Sequence, residues 1–263
     1  MQIGTPGDPV THIAQGHPDR VEVRGRDLAE LMGRMTFTEY FHLLLTGSEP
    51  TEDQRFFLDV LLVAIAEHGL MPSNVAARIT LAANPGSLEG AVAAGILGAG
   101  PVVLGASESC ALLLERAQAD VEAGAEPAAV ARKLAKELHD AGDRVPGFGH
   151  PLHRPVDPRA ERILTLADER ALDWPHLRLA RAFADAVPEI WGKPLPMNVA
   201  MPIAAVLLDL GFPASTVKSI PILARTASLL AHLAEEQLHP IGFFLAGSAE
   251  EAVHYEPAEE PGG

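Results

Sequence analysis

The sequence is poor in cysteine, in aromatic residues and in basic charge, and each shortage excludes something. Cys110 is the single cysteine in 263 residues. No internal disulfide can therefore hold the fold, and a reducing compartment suits it best. Aromatic residues make up 5% of the chain although 48% is hydrophobic, so Ala, Leu, Val and Ile must fill the core. That composition suits close-packed helices. Lys and Arg number 20 against 35 Asp and Glu, a net charge of −15 with histidines neutral. Such a balance argues against a nucleic-acid or anionic-membrane partner and leaves an anionic ligand to find a local basic site. No apolar run reaches the roughly 20 residues of a membrane span. The longest, Gly90–Leu104 and Val199–Leu208, contain Gly or Pro. The first residues, MQIGTPGDPVTHIAQGHPDR, carry neither the basic region nor the apolar stretch of a signal peptide. The expectation is a cytoplasmic protein.

What the chain does have is helical periodicity. From Arg26 the apolar positions Leu28, Leu31, Met32 and Met35 recur at three and four residues, and strand signals are nearly absent. Thr36 can cap a segment running through Leu45, Gly47 to Pro50 ends it, and Thr51 with Glu52 and Asp53 starts the next. The same punctuation predicts helices near 51–68, 73–83, 87–99, 102–123, 127–141, 157–170, 175–186, 198–210 and 214–237, an all-α chain. Two Pro- and Gly-rich stretches, 143–158 and 188–196, break this rhythm. The acidic tail from Ala249 is expected to fray.

The loop Val145-Pro-Gly-Phe-Gly-His-Pro-Leu-His-Arg-Pro-Val-Asp-Pro-Arg159 concentrates the chemistry. Its glycines permit close backbone approach, and its prolines stiffen the frame. Arg144, Arg154 and Arg159, with His150 and His153, face one acid there, Asp157. This pattern suits an anion site; the alternative is a surface loop whose basic residues pair with neighbouring carboxylates. His150 and His153 lack the helical i, i+4 spacing of a metal pair, and the sequence offers no obvious third ligand, so no metal is expected. Cys110 reads as a small core residue.

This loop resembles the GxGH…R…DPR segment of citrate synthases and of the citryl-CoA lyase module of ATP-citrate lyase. The likeness continues in order on both sides. VRGRDLAELMGRMTFTEYFHLLLTGSEPT, Ala66-Glu67-His68-Gly69, the alanine-rich stretch from Ile79 to Gly100, Asn198-Val199, and Ala224-Arg225-Thr226 through Ala231-His232 each resemble a family segment. The resemblance implies an all-helical fold with a large domain, 1–109 and 216–263, and a small domain, 110–215, with the active site in the cleft and a homodimer overall. It implies acyl-CoA and dicarboxylate small molecules as ligands, with coenzyme A as part of the substrate and no tightly bound cofactor. By position, His150 is implied to hydrogen-bond the oxygen at the bond made or broken. His68, Arg159 and Arg225 are implied to contact substrate carboxylates, and Arg154 a CoA phosphate. The alternatives are a helix-end role for His68 and a buried ion pair for Arg225.

Two departures matter. Where the family carries a proton-transferring aspartate, the chain reads Asn198-Val199-Ala200, and alanine cannot carry a proton. Where citrate synthases read HGGAN, the chain reads Ser107-Glu108-Ser109-Cys110-Ala111, which sets Glu108 at the histidine position. Glu108 could supply a carboxylate from the opposite wall, or could simply cap or salt-bridge its helix. His239-Pro240 also stands near where many citrate synthases carry an arginine. The expected activity is carbon–carbon cleavage of citryl-CoA or a related 3-hydroxy-3-carboxyacyl-CoA to acetyl-CoA and oxaloacetate. The alternatives are condensation as a citrate or 2-methylcitrate synthase, chemistry on another acyl-CoA, and a non-catalytic homologue that binds CoA or a carboxylate.

Overall fold

A computed structural model describes residues 9–100, 104–150, 152–170 and 172–257. The chain divides between Val60 and Leu61 into two compact units. The first contains a feature the sequence did not signal, a three-stranded antiparallel sheet of β1 (Ala14–Gly16), β2 (Val21–Val23) and β3 (Arg26–Asp27). Its pairs include Gln15 with Glu22 and Glu22 with Asp27. Strands of two or three residues are too short to display a period of two. Arg24 and Gly25, at φ 50° and 75°, turn the chain between β2 and β3. The Arg24 side chain ties that turn to the Leu44 carbonyl at 2.6 Å.

Helix α1 (Leu28–Leu31) starts on an Asp27 cap, and α2 (Phe37–Thr46) starts on a capping box between Thr36 and Glu39. Gly47, at φ 83°, closes α2 as the sequence predicts. Helix α3 (Glu52–Ala66) follows a reciprocal pair of hydrogen bonds between Thr51 and Gln54.

The second unit is helical: α4 (Pro72–Ala83), α5 (Leu88–Leu97), α6 (Ala106–Glu122), α7 (Pro127–Asp140), α8 (Pro158–Asp168), α9 (Pro175–Trp191), α10 (Ala200–Asp209), α11 (Ala214–Val217), α12 (Ser219–Leu238) and α13 (Gly242–Ala252). Helices α4, α5 and α12 share a core of Ala77, Leu81, Ala91, Leu229 and Leu233. Gly95 of α5 permits that packing, because a Cβ there would lie 2.7 Å from the Leu229 methyls. Helix α10 is buried on every side from Ala200 to Leu208 and packs against α6, α8 and α9. An all-round apolar helix is stable only in such an interior.

Three predictions change by more than a few residues at a helix end, and the start expected at 102 lies outside the described residues. Helix α9 runs through Pro188 to Trp191, where a loop was expected. Burial of Ala186 and Val187, with Trp191 edge-on to His139 at 4.9 Å, outweighs the lost hydrogen bond of one proline. The single helix expected over 214–237 is broken at Lys218 into α11 and α12. Pro221 has no N–H for the Val217 carbonyl, so the ladder cannot run through. The tail stays helical to Ala252, beyond the Ala249 at which fraying was expected, and its last six residues lie outside those described. Among the described residues, no helix is long and apolar enough to cross a membrane.

Candidate active site

The loop between α7 and α8 is a held shape. Gly149 N donates to the Pro196 carbonyl and Asn198 N to the Gly147 carbonyl, both at 2.8 Å. The Asn198 side-chain amide donates to the Gly149 carbonyl at 3.0 Å. Gly147, at φ 78°, must be glycine twice over, since a Cβ would meet Met201 Cβ at 2.7 Å and Cys110 Sγ at 2.8 Å. Cys110 is fully buried, and burial pushes its thiol pKa up. It is a packing residue, not a nucleophile.

This frame fixes the chemistry of His150. Its Nδ1 accepts the backbone N–H of Leu152 at 3.1 Å and of His153 at 2.9 Å. A nitrogen that accepts two N–H bonds carries no hydrogen, so the neutral ring holds its proton on Nε2 and presents a donor. Burial, then His153, draws the His150 pKa below 6.5, with Asp157 acting the other way, and the ring is neutral near pH 7. Arg159 Nη2 lies 3.4 Å from His150 Nε2. With the proton on His150 Nε2, two N–H groups lie side by side 3.4 Å apart, and an oxygen acceptor beside them would satisfy both.

Asp157, fully buried, aims that guanidinium. Its Oδ1 accepts Arg159 N and Nε at 3.0 Å each, and its Oδ2 accepts Arg159 Nη2 at 2.8 Å and Val199 N at 3.1 Å. Burial alone would raise the Asp157 pKa, but the Arg159 bonds outweigh it and the carboxyl stays ionised. Asp157 also caps α8.

His68 joins the group from the end of α3. Its Nε2 is 3.0 Å from His153 Nε2, so one ring donates to the other. The rings of His150 and His153 are 4.4 Å apart between centroids. Burial, Arg159 and His153 together lower the His68 pKa. Before it stands Glu67, whose Oε1 accepts the N–H of His68 at 2.8 Å and of Gly69 at 2.5 Å. Its Oε2 accepts the Ser228 hydroxyl and lies 3.1 Å from His232 Nε2. Against the opposing effect of burial, these bonds bring the Glu67 pKa down to about 2. His232 Nδ1 accepts Arg78 Nε at 3.1 Å, so its Nε2 carries the hydrogen offered to Glu67. Buried Arg78 continues to Glu235 and, at 2.9 Å, to Glu236. Glu236 in turn accepts Ile241 N and Gly242 N at the start of α13.

Arg225 of α12 is 2% exposed and poorly satisfied. Its Nη1 reaches Asn74 Oδ1 at 3.4 Å and its Nη2 the Ile65 carbonyl at 3.3 Å. Arg225 Nε and Asn74 Nδ2 are buried with no partner among the described residues. Burial lowers its pKa, Glu67 opposes that, and Arg159 adds to it, so both arginines share one electrostatic neighbourhood. Buried donors without acceptors cost about 1–3 kcal/mol each, and a carboxylate satisfies them.

The structure thus brings His68, His150, Arg159 and Arg225 together. Arg154 is exposed on the same loop. Glu108, on the first turn of α6, pairs with Lys218 at 3.2 Å. The α6 face that meets Gly147 is that of Cys110, two residues and roughly 200° around the helix. Ala200, at the start of α10, presents a methyl group and donates its N–H to Asn198 Oδ1 at 3.0 Å.

Sequence reasoning named His153 but missed its pairing with His68, and it missed Asn74 and the roles of Glu67 and Asp157. It also found no third imidazole, because His68 lies 85 positions from His153. By distance alone the three histidines suit a cation, with one ring nitrogen from each within 4.8 Å of the others. The His150 tautomer opposes it. Ligation through Nε2 needs a lone pair there, and an Nδ1–H would then face two amide hydrogens. In that tautomer the His150 Nε2–H suits an oxygen ligand.

The chain matches the family model for the citrate synthase C-terminal domain over residues 48–241, and it belongs to the citrate synthase family. It is 30% identical over 232 residues to a citrate synthase of Synechocystis, covering 86% of this chain and 55% of that protein. The chain spans about half the length of the curated relatives it matches. Among solved structures it is similar to citryl-CoA lyase from Hydrogenobacter thermophilus, with a TM-score of 0.84, 28% identity and 97% of both chains covered. It also shares its fold with ATP citrate lyase from Methanothrix soehngenii in complex with citrate and coenzyme A, at a TM-score of 0.77, 21% identity, and coverage of 98% of this chain and 43% of that one.

Proposed function

We propose that the protein is a carbon–carbon lyase acting on citryl-CoA or a close 3-hydroxy-3-carboxyacyl-CoA, releasing acetyl-CoA and oxaloacetate. The observation that carries this reading is the placing of His150 Nε2 and Arg159 Nη2 side by side, 3.4 Å apart, on a loop that fixes the His150 proton on Nε2. The oxygen on the carbon at which the bond breaks takes the place beside them, and the two donors stabilise it as it becomes a carbonyl. Arg225 and Asn74 supply buried donors for a carboxylate of the departing dicarboxylate, beside His68. Arg154, exposed, is available to a CoA phosphate. Likeness to citryl-CoA lyase over 97% of both chains supports cleavage over condensation. The large and small domains at 1–109 with 216–263 and 110–215, the homodimer and the cytoplasmic location belong to the same proposal.

Purified protein given citryl-CoA, with oxaloacetate followed through malate dehydrogenase and NADH, tests it. Release that disappears in His150→Ala is the expected outcome; no release from the wild type overturns the proposal. Ala200 favours a second reading, a homologue that binds CoA or a carboxylate without turnover. That reading predicts a CoA-dependent rise in melting temperature with no oxaloacetate formed.

A further inference from the structure

Lyase chemistry at this site needs a base for the substrate hydroxyl and an acid for the enolate carbon, and the side chains present narrow the choice. His150 offers a hydrogen on Nε2, so its neutral form is a donor and not a base. Asp157 spends both oxygens on Arg159 and Val199. Glu67 accepts two amides and the Ser228 hydroxyl, faces His232, and has a pKa of about 2, too weak a base for the task. Glu108 is turned to Lys218, and Ala200 has no titratable group. Among the described residues of the site, what remains is the pair formed by His68 and His153. Two imidazole Nε2 atoms 3.0 Å apart hold one hydrogen between them, so the ring that donates it keeps a basic lone pair on Nδ1; with His153 as that donor, the lone pair belongs to the ring whose centroid lies 4.4 Å from that of His150.

We propose that His153, held by its hydrogen bond to His68, is the proton carrier of the reaction and replaces the carboxylate absent at position 200. This inference rests on the lyase reading above. In the step, the hydroxyl proton on C3 of the substrate passes to the imidazole lone pair. The bond between C3 and the thioester α-carbon breaks, and its electron pair enters the thioester enolate while C3–O becomes the carbonyl of oxaloacetate. The enolate carbon then takes the proton back from the imidazolium, giving acetyl-CoA. Atoms and charge balance with no co-reactant.

The test is His153→Gln, which keeps a polar group within reach of His68 but cannot carry a proton near neutrality, with His153→Asn as a second variant. Two rates are followed: oxaloacetate release from citryl-CoA, and deuterium entry into the methyl group of acetyl-CoA in heavy water with oxaloacetate present. Melting temperature with citrate and CoA reports folding and binding. The expected result is a loss of both rates by about 10²-fold or more in the variants, with ligand stabilisation retained. Variants that keep both rates within a few-fold of the wild type overturn the role of His153 and leave the lyase reading intact. A wild type that shows neither release nor exchange overturns the lyase reading, and the inference with it.

Discussion

At the scale of single residues, Arg225 carries a tension between folding and function. Its guanidinium is buried with one nitrogen unpartnered and two long hydrogen bonds. Replacing such a buried charge by an apolar residue is often neutral or stabilising. Arg225→Met is therefore expected to melt no lower than the wild type, with stability unchanged or raised by about 1 kcal/mol. The same variant should lose the rise in melting temperature that citrate gives, and thermal melts with and without citrate check both halves. Glu67 sets a pH dependence of definite sign. Its folded pKa of about 2 lies below the ordinary 4.5, so its charge favours the native state above pH 4.5. That contribution fades as pH falls through about 2. Melting temperature against pH should accordingly fall less steeply over this window in Glu67→Gln than in the wild type.

At the scale of elements, the loop over 143–158 depends on one close approach. Gly147→Ala sets a Cβ against Met201 and Cys110 at a positive φ. The left-handed strain and the overpacking together should cost about 3 kcal/mol, read from the urea midpoint. Activity should fall further than stability, because the His150 tautomer depends on the same backbone. Legibility in the sequence followed physical range. Helices α2 to α8 carry their signals locally, in caps, glycine stops and apolar period, and sequence reading located them. The strands were too short for a period, and the extension of α9 through Pro188 rests on burial supplied by residues far away in the chain. For the site, His150 and Arg159 stood in one loop and were readable, whereas His153 drew meaning from His68, which no local spacing announces.

At the scale of the whole second unit, a polar chain runs inward from exposed Glu67 through His232 to buried Arg78 and Glu236 and the start of α13. Arg78→Met leaves Glu236 buried without its cation and should cost about 3–5 kcal/mol in the denaturant midpoint. It also releases His232 Nδ1, so the hydrogen on Nε2 is no longer fixed toward Glu67. The Glu67 pKa, followed by NMR of its carboxyl carbon, should then rise above about 2.

The clamp that holds Gly147 to Gly149 against Pro196 to Asn198 has one more consequence. The amides of Gly149 and Asn198 sit in irregular backbone, yet both donate across the clamp. Their exchange with solvent deuterium should be as slow as that of a packed helix and should quicken whenever the loop opens. These two amides therefore act as a built-in gauge of the assembled site: in any variant, their protection separates loss of the frame from loss of the chemistry, with no substrate present.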